Sequence, residues 1–381
     1  MVGELRSKHA LLCPMGEVQN FDFCGETVPP GTRLDTALQI GLDPMGQSSE
    51  IPIQILHGSK KGPTISIIGA IHGDELNGTG IIHHLVYGDD HKPGTSDDHI
   101  EPKNLSGTLL LVPVANVDAM MMNSRTSPDG RDLNRVFPGS ADGSQTSRLA
   151  HAIFTHIVKQ SDYLIDLHTA PYTRMNVPQI RADLENSKCK KIARAFGTKV
   201  IMNSRGPKGS IRRESTKAGV PAILLESGSS HRFEKDAVEG GVKGILNVLA
   251  KLKMIERKVE KPKWRILVRK FRWVRSPVGG ILHTLVPGGA VVKEGEVIAY
   301  VTDPFGARVD DVISPVNGYI VGLATTPLVR PGDPIANIVF VRETKLQEII
   351  SKEGLIDDSQ DDVTEQDIED DEGSTLDETE R

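Results

Sequence analysis

The sequence predicts an α/β layer fold with a mostly parallel sheet, followed by a small all-β C-terminal domain. Three observations carry this. Short, apolar, β-branched runs recur between about residues 51 and 229, each followed by small or polar residues. Stretches of helical length lie between them, and strands alternating with helices imply parallel crossover units. From about Trp264 the helical signal stops, and Gly and Pro punctuate short β-rich runs.

Along the chain, residues 1–50 hold turn-forming Gly and Pro with only modest hydrophobic patterning. The strand candidates that follow are ISIIGAI, TLLLVPVAN, DYLIDLH and PAILLE. Runs this short and apolar suit strands buried on both faces. Helices are expected near Gly80–Tyr87, Gln145–Lys159, Asn186–Phe196 and Ala237–Met254. Asp89–Ser106, rich in Asp, Pro, Gly and Ser, reads as a surface loop. In the β region Ser276-Pro277-Val278 recurs as Ser314-Pro315-Val316, and Val292–Gly295 recurs as Val329–Gly332 after a one-residue slip. Such a repeat predicts two similar halves. The expected boundaries are residues 1–258 for a catalytic domain, 259–342 for the β domain and 343–381 for an acidic tail.

Charge sharpens this division. The chain holds 45 Lys and Arg against 51 Asp and Glu, a net of -6. Between Asp357 and Arg381, 13 residues are acidic and one is basic, so the remainder carries a net of +6. The tail is too poor in apolar residues to order itself, and disorder is expected there. The mildly basic body suits a small anionic ligand. No apolar run approaches the ~20 residues of a membrane helix, so no membrane partner is expected. The first residues lack a signal-peptide core. Cys13, Cys24 and Cys189 are odd in number and widely spaced, which argues against a disulfide framework or a cysteine metal site and for a reducing cytoplasm.

Ligands of open parallel sheets bind beyond the carboxyl ends of the strands. There the chain places His72 and Glu75, then His168, then Glu226. His72-Gly73-Asp74-Glu75 sets an imidazole and a carboxylate three residues apart, and His168 supplies a second imidazole from another strand. Two His and one carboxylate, with a position left open, describe a catalytic zinc site. The plainer alternative leaves Glu75 near a helix dipole and His72 in a turn. The segment Asn123–Gly139 packs Arg125, Arg131 and Arg135 among Asn and Asp. Arginines bind carboxylates bidentately and can stabilise an oxyanion. A solvated loop with local Arg–Asp pairs is the alternative there.

GAIHGDELNG, RDLNRVFPG, DLHTA and LLESG, in this order, resemble the succinylglutamate desuccinylase/aspartoacylase family of zinc amidohydrolases over roughly Gly58 to Leu252. The resemblance implies a zinc-carboxypeptidase-like α/β/α sandwich and one Zn2+ per subunit, held by His72, Glu75 and His168. It makes Glu226 the catalytic glutamate and Arg125 the arginine that polarises the scissile carbonyl. Asn134 and Arg135 match the pair that holds the substrate carboxylate, and Asp132 an outer partner orienting a zinc histidine. The implied reaction is hydrolysis of the amide of a small anionic N-acyl amino acid, of deacetylase or desuccinylase type. A metallocarboxypeptidase acting on short peptides, or a non-catalytic binding protein on the same fold, are the other readings. Asp166 shares a strand face with His168, and Arg174, Asn176 and Arg181 follow it without an assigned role. His83 and His84 are expected to be structural.

The β domain resembles biotinyl/lipoyl modules, but the hairpin Val301–Arg308 holds no lysine to modify. Its expected role is to cap the active site or to mediate contacts in a homo-oligomer. Lys251–Arg275 holds 11 basic and two acidic residues around Trp264, Phe271 and Trp273. With no nucleic-acid fold beside it, a solvated basic face is expected, and the acidic tail is its nearest partner in the sequence.

Overall fold

The four strand candidates lie side by side and parallel. In the computed structural model, which describes residues 18–352 other than 44, 93, 96–98, 343, 346–348 and 350, the order is Ala222–Ser229, Tyr163–His168, Lys60–Ile68 and Ser106–Val112. Successive residues of these strands feed opposite layers. Ile65, Ile67, Leu109, Leu111, Ile165 and Leu167 pack in one core against helices Asn77–Tyr87, Ser187–Phe196 and Lys235–Lys251. Ile68, Leu110, Val112 and Leu164 pack in a second core with Leu149 and Ile153 of helix Gln145–His156. The result is an α/β/α sandwich with a mixed sheet. The helix ends follow the local chemistry. Ser144 and Asn186 cap with their side chains, and Gly197 closes helix Ser187–Phe196 at φ 99°, a conformation that favours glycine.

Several elements were not expected. Thr32–Leu42 and Ser48–His57 extend the sheet antiparallel on one flank. Thr32–Leu42 is an edge strand with mostly half-exposed or exposed residues, so it lacks the apolar run that marked the central strands. On the other flank Arg174–Ala182 runs antiparallel to Ala222–Ser229. Its sequence, RMNVPQIRA, is interrupted by polar residues and by the exposed Pro178 beside a register shift. Short elements Val200–Asn203 and helix Ile211–Lys217 also gave no clear pattern.

The C-terminal strands form two sheets around a core of Leu282, Val292, Ile298, Val301, Val312, Ile320, Ile335 and Ile338. One is a separate four-stranded sheet; the other is continuous with the large sheet, which reaches 13 strands among the described residues. The joint is strand Gly318–Ala324, paired antiparallel to Arg174–Ala182 with Gly322 opposite Asn176 and Ala324 opposite Arg174. The repeat seen in the sequence has a matching geometry. Ser276 Oγ donates to Val278 O at 2.7 Å, and Ser314 Oγ to Val316 O at 2.8 Å. Gly332 N donates to Ser276 O and Gly295 N to Ser314 O, both at 2.9 Å. Each half therefore makes the same turn, as a pseudo-twofold requires. At the hairpin where a carrier lysine would sit, Phe305 stands 95% exposed.

No helix among the described residues is long and apolar enough to cross a membrane. Within the basic stretch, Trp264 is buried and Arg265 is tied to the carbonyls of Arg194 and Thr198. Ile349, near the end of the described chain, packs in the same cluster as Trp264 and Ile266. The acidic tail itself lies outside the described residues.

Candidate active site

After Ile68 the chain leaves its strand through a turn in which Ala70 adopts φ 49°, a left-handed conformation uncommon for a residue with a Cβ. Gly73 then passes so close to the short helix Val117–Met121 that an added Cβ would sit 2.1 Å from the Ala119 backbone. Only glycine fits there, which explains that position of the His-Gly-Asp-Glu motif. Asn116 and Asn77 pin the turn to its neighbours. Asn116 Nδ2 donates to Ile71 O at 3.3 Å and Ser127 Oγ at 3.0 Å. Asn77 bridges the strand carrying Glu226, donating to Ser227 O and accepting from Glu234 N.

This scaffold brings His72, Glu75 and His168 together, all buried, with potential ligand atoms within 4.8 Å of one another. Each imidazole turns Nδ1 to Glu75, His72 at 2.8 Å and His168 at 2.7 Å. Each turns Nε2 to a further carboxylate: Asp132 Oδ1 at 3.0 Å and Asp166 Oδ1 at 2.9 Å. The Asp166 contact lies off the hydrogen-bonding direction, and neither oxygen of this fully buried carboxylate finds another partner. Glu75 Oε2 also accepts from Thr169 N at 3.1 Å.

The electrostatics follow. Burial alone would raise the Glu75 carboxyl, but the imidazoles of His72 and His168 outweigh it and hold it well below the usual carboxylate range. Burial would lower the His168 imidazole; instead Asp166 and Glu75 push it up to about 10. Asp132 also resists its own desolvation, held low by His72, Arg125 and Arg135. Glu75 and Asp132 are thus held as carboxylates facing the imidazoles. The donor set fits a divalent cation. Two Nδ1 atoms and a carboxylate would face the ion while His72 Nε2 keeps Asp132 as its carboxylate partner, as metal-bound histidines usually do, and Asp166 stands 2.9 Å from His168 Nε2.

The other residues singled out in the sequence surround this cluster. Glu226 is the register partner of His168 on the adjacent parallel strand, so the two lie side by side on one face. It is buried, accepts from Asn176 Nδ2 at 3.0 Å and lies 3.7 Å from Arg181 Nη2. Arg125 donates to Glu75 Oε1 at 2.9 Å and Asp132 Oδ2 at 3.1 Å. Asp132 Oδ1 accepts from Asn134 N at 2.8 Å and so shapes the turn Leu133–Arg135. Asn134 is buried; its Oδ1 accepts from Ile211 N, and its Nδ2 lies 3.4 Å from His168 Nε2. Arg135 bends back onto Asn134 O at 2.8 Å. His83 and His84 stand apart, His84 against Asp89. Asn176, which had no assigned role, bonds directly to Glu226. Its signal in the sequence was its place two residues after Arg174 in a stretch following His168, but the strand carrying both was not legible.

The fold and site define a class: α/β/α proteins with a two-histidine, one-carboxylate centre at the carboxyl edge of the sheet and a buried glutamate beside it. The chain belongs to the succinylglutamate desuccinylase/aspartoacylase family, whose catalytic-domain model matches residues 61–252. It is 27% identical over 308 residues to the N-alpha-acetyl-L-2,4-diaminobutyric acid deacetylase of Halomonas elongata, covering 77% of this chain and 86% of that one. A succinylglutamate desuccinylase/aspartoacylase structure from Rhodobacter sphaeroides superposes with a TM-score of 0.70 at 25% identity, covering 82% of this chain and 96% of that one. The product-bound ectoine utilization protein EutE (DoeB) of Ruegeria pomeroyi has the same fold, with a TM-score of 0.70 at 22% identity over 82% and 98% of the two chains. Amide hydrolysis is the chemistry this family supports.

Proposed function

We propose that this chain is a zinc-dependent deacylase of small N-acyl amino acids. The observation that carries the reading is the buried His72–Glu75–His168 group with Glu226 in register beside His168. A zinc ion on these three side chains would supply Lewis acidity toward the acyl carbonyl and toward a water. Glu226, with one oxygen tied to Asn176, takes a proton from the attacking water and returns it to the departing amine. Arg125, half-buried and oriented by Glu75 and Asp132, faces the negative charge that develops on the carbonyl oxygen. Asp132 keeps His72 in one tautomer. Asn134 shapes the site, and Arg135 anchors the carboxylate of the amino acid, fixing the amide over the metal. The relative from Halomonas elongata supports an acetyl group as one substrate to test.

The test is metal analysis of the purified protein together with hydrolysis of N-acetyl and N-succinyl amino acids, N-acetyl-2,4-diaminobutyrate and dipeptides. One zinc per chain with turnover of an N-acyl amino acid is expected. Turnover of dipeptides alone would make it a peptidase. No bound metal and no hydrolysis would remove the enzymatic reading.

A further inference from the structure

Gln179, on strand Arg174–Ala182, is fully buried. Neither its Nε2 nor its Oε1 has a hydrogen-bond partner, and among the buried amides of the described residues it alone lacks one at both ends. An unpartnered amide in the interior is costly, and such a group asks for an explanation in what it does.

The ladder shows which group can complete it. Gln179 stands opposite Glu226 on one neighbouring strand and opposite Val200 on the other. Opposed residues point to the same face, with Cβ atoms about 4.5–5.5 Å apart. At that spacing the ends of a glutamine and a glutamate can meet. Val200 is apolar and packs with Met202 and Val321. Arg181, two residues on, leans the same way, with Nη2 3.7 Å from Glu226 Oε1. The amide therefore sits between an apolar cluster and the residue assigned above as the base.

Glu226 changes its hydrogen-bonding character in the proposed reaction. As a carboxylate it only accepts, and Asn176 Nδ2 serves it at Oε2. Once it has taken the proton of the water, it carries an O–H that must donate. Asn176 presents a donor there and cannot accept it. The Oε1 atom of Gln179 can, and no other bond ties it elsewhere. The end torsion of a glutamine is broad, so the amide turns to its partner at little cost. Catalytic hydrogen bonds often form fully only in the substrate complex.

We propose that Gln179 is a positioning residue for Glu226, whose Oε1 accepts the O–H of Glu226 while that residue holds the proton. This rests on the deacylase reading above and deepens it. The proton moves from the water to Glu226 and then to the departing amine nitrogen; the amide holds it in place between the two transfers and neither gains nor loses one.

The experiment compares wild type, Gln179→Leu, Glu226→Gln and the double variant by thermal midpoint, and wild type with Gln179→Leu by kcat and KM on N-acyl amino acids. Leucine fills a similar volume without a polar atom. Gln179→Leu keeps or raises the midpoint, since no bond is lost, and lowers kcat about tenfold with KM nearly unchanged. Glu226→Gln puts an N–H where the protonated carboxyl carries its O–H. Its effect on the midpoint is therefore more favourable, by about 2 °C, with Gln179 present than in the Gln179→Leu background. A lowered midpoint or failure to fold in Gln179→Leu makes the amide structural and overturns the assignment. An unchanged kcat, or equal midpoint changes in the two backgrounds, overturns it as well. If wild type hydrolyses no compound, the deacylase reading falls, and the midpoint comparison alone decides the contact between Gln179 and Glu226.

Discussion

The carboxyl edge of the parallel strands and the C-terminal β region share one continuous sheet in part, yet they bury opposite things. The first buries His72, Glu75 and His168 in one cluster, with Asp166 and Glu226 buried beside His168. The second buries Leu, Val and Ile around Ile298 and Ile338, with Ser276, Thr302, Ser314 and Asn337 as its buried polar residues. Apolar packing stabilises in proportion to the area it removes from water. Buried ion pairs offset much of their attraction by desolvation and are weak evidence of stability. Their concentration at one sheet edge therefore speaks for function, and the β region for scaffolding.

That contrast is tested most strongly by a pair of substitutions. Glu226→Gln removes the base but keeps the shape and an acceptor oxygen for Asn176. It is expected to lower kcat by about 10^2- to 10^4-fold, with the thermal midpoint unchanged or raised, because active-site carboxylates are rarely optimal for stability. Ile338→Ala should do the reverse, costing about 2–5 kcal/mol of stability while the folded protein keeps its kcat. Urea unfolding and steady-state kinetics on both proteins measure this. Full activity in Glu226→Gln, or large loss of kcat in folded Ile338→Ala, would break the division.

How far the sequence revealed the two regions depends on the range of the interactions. His72, Gly73 and Glu75 were legible because the turn they form is local, and DLH and LLE because both belong to apolar strands buried on both faces, although the strand of Glu226 runs on to Ser229 rather than ending there. The sheet order then brought them together without further information. Asp166 was visible only as a neighbour in strand parity. Asn176 and Arg174 were harder. Their strand is interrupted by Pro178 and takes its pairing from Ala222–Ser229 on one side and Gly318–Ala324 on the other, which lies more than 130 residues away. Pairing over that separation leaves no periodic trace. The Ser-Pro-Val repeat showed two halves but could not show that one of their sheets would continue into the catalytic sheet.

A second test uses protons. Without metal, His168 keeps its proton up to about pH 10, because Asp166 and Glu75 outweigh its burial. A metal ligand must be neutral at the coordinating nitrogen, so binding displaces that proton. The sign follows: apparent zinc affinity rises with pH, by about tenfold per unit between roughly pH 6 and 8 for one proton released. Competition against a chelator of known pH dependence measures it. Asp166→Asn should flatten the profile by removing one source of the raised value. A profile already flat in wild type would mean that the imidazole is neutral before the metal arrives.

The smallest expected effect decides whether the two regions are functionally separable. Gly322 lies on the C-terminal side of the joint, opposite Asn176. A Cβ there would stand 2.9 Å from Asn176 Oδ1, with Asn337 Cβ at 3.4 Å as the next neighbour. The strand backbones are held by their ladder, so the amide of Asn176 is what gives way, and Nδ2 is its bond to Glu226. Losing or bending one such hydrogen bond is worth about 1 kcal/mol, or about fivefold in rate if the carboxylate loses its orientation. Gly322→Ala should therefore lower kcat by about that factor while the protein stays folded and metal-loaded. The same alanine in Asn176→Ala protein should have no further effect on kcat, since the side chain it displaces is already gone. Additive losses would instead mean that Gly322 acts through the strand itself, and an unchanged kcat in the single variant would mean that the β region ends, functionally, at the joint.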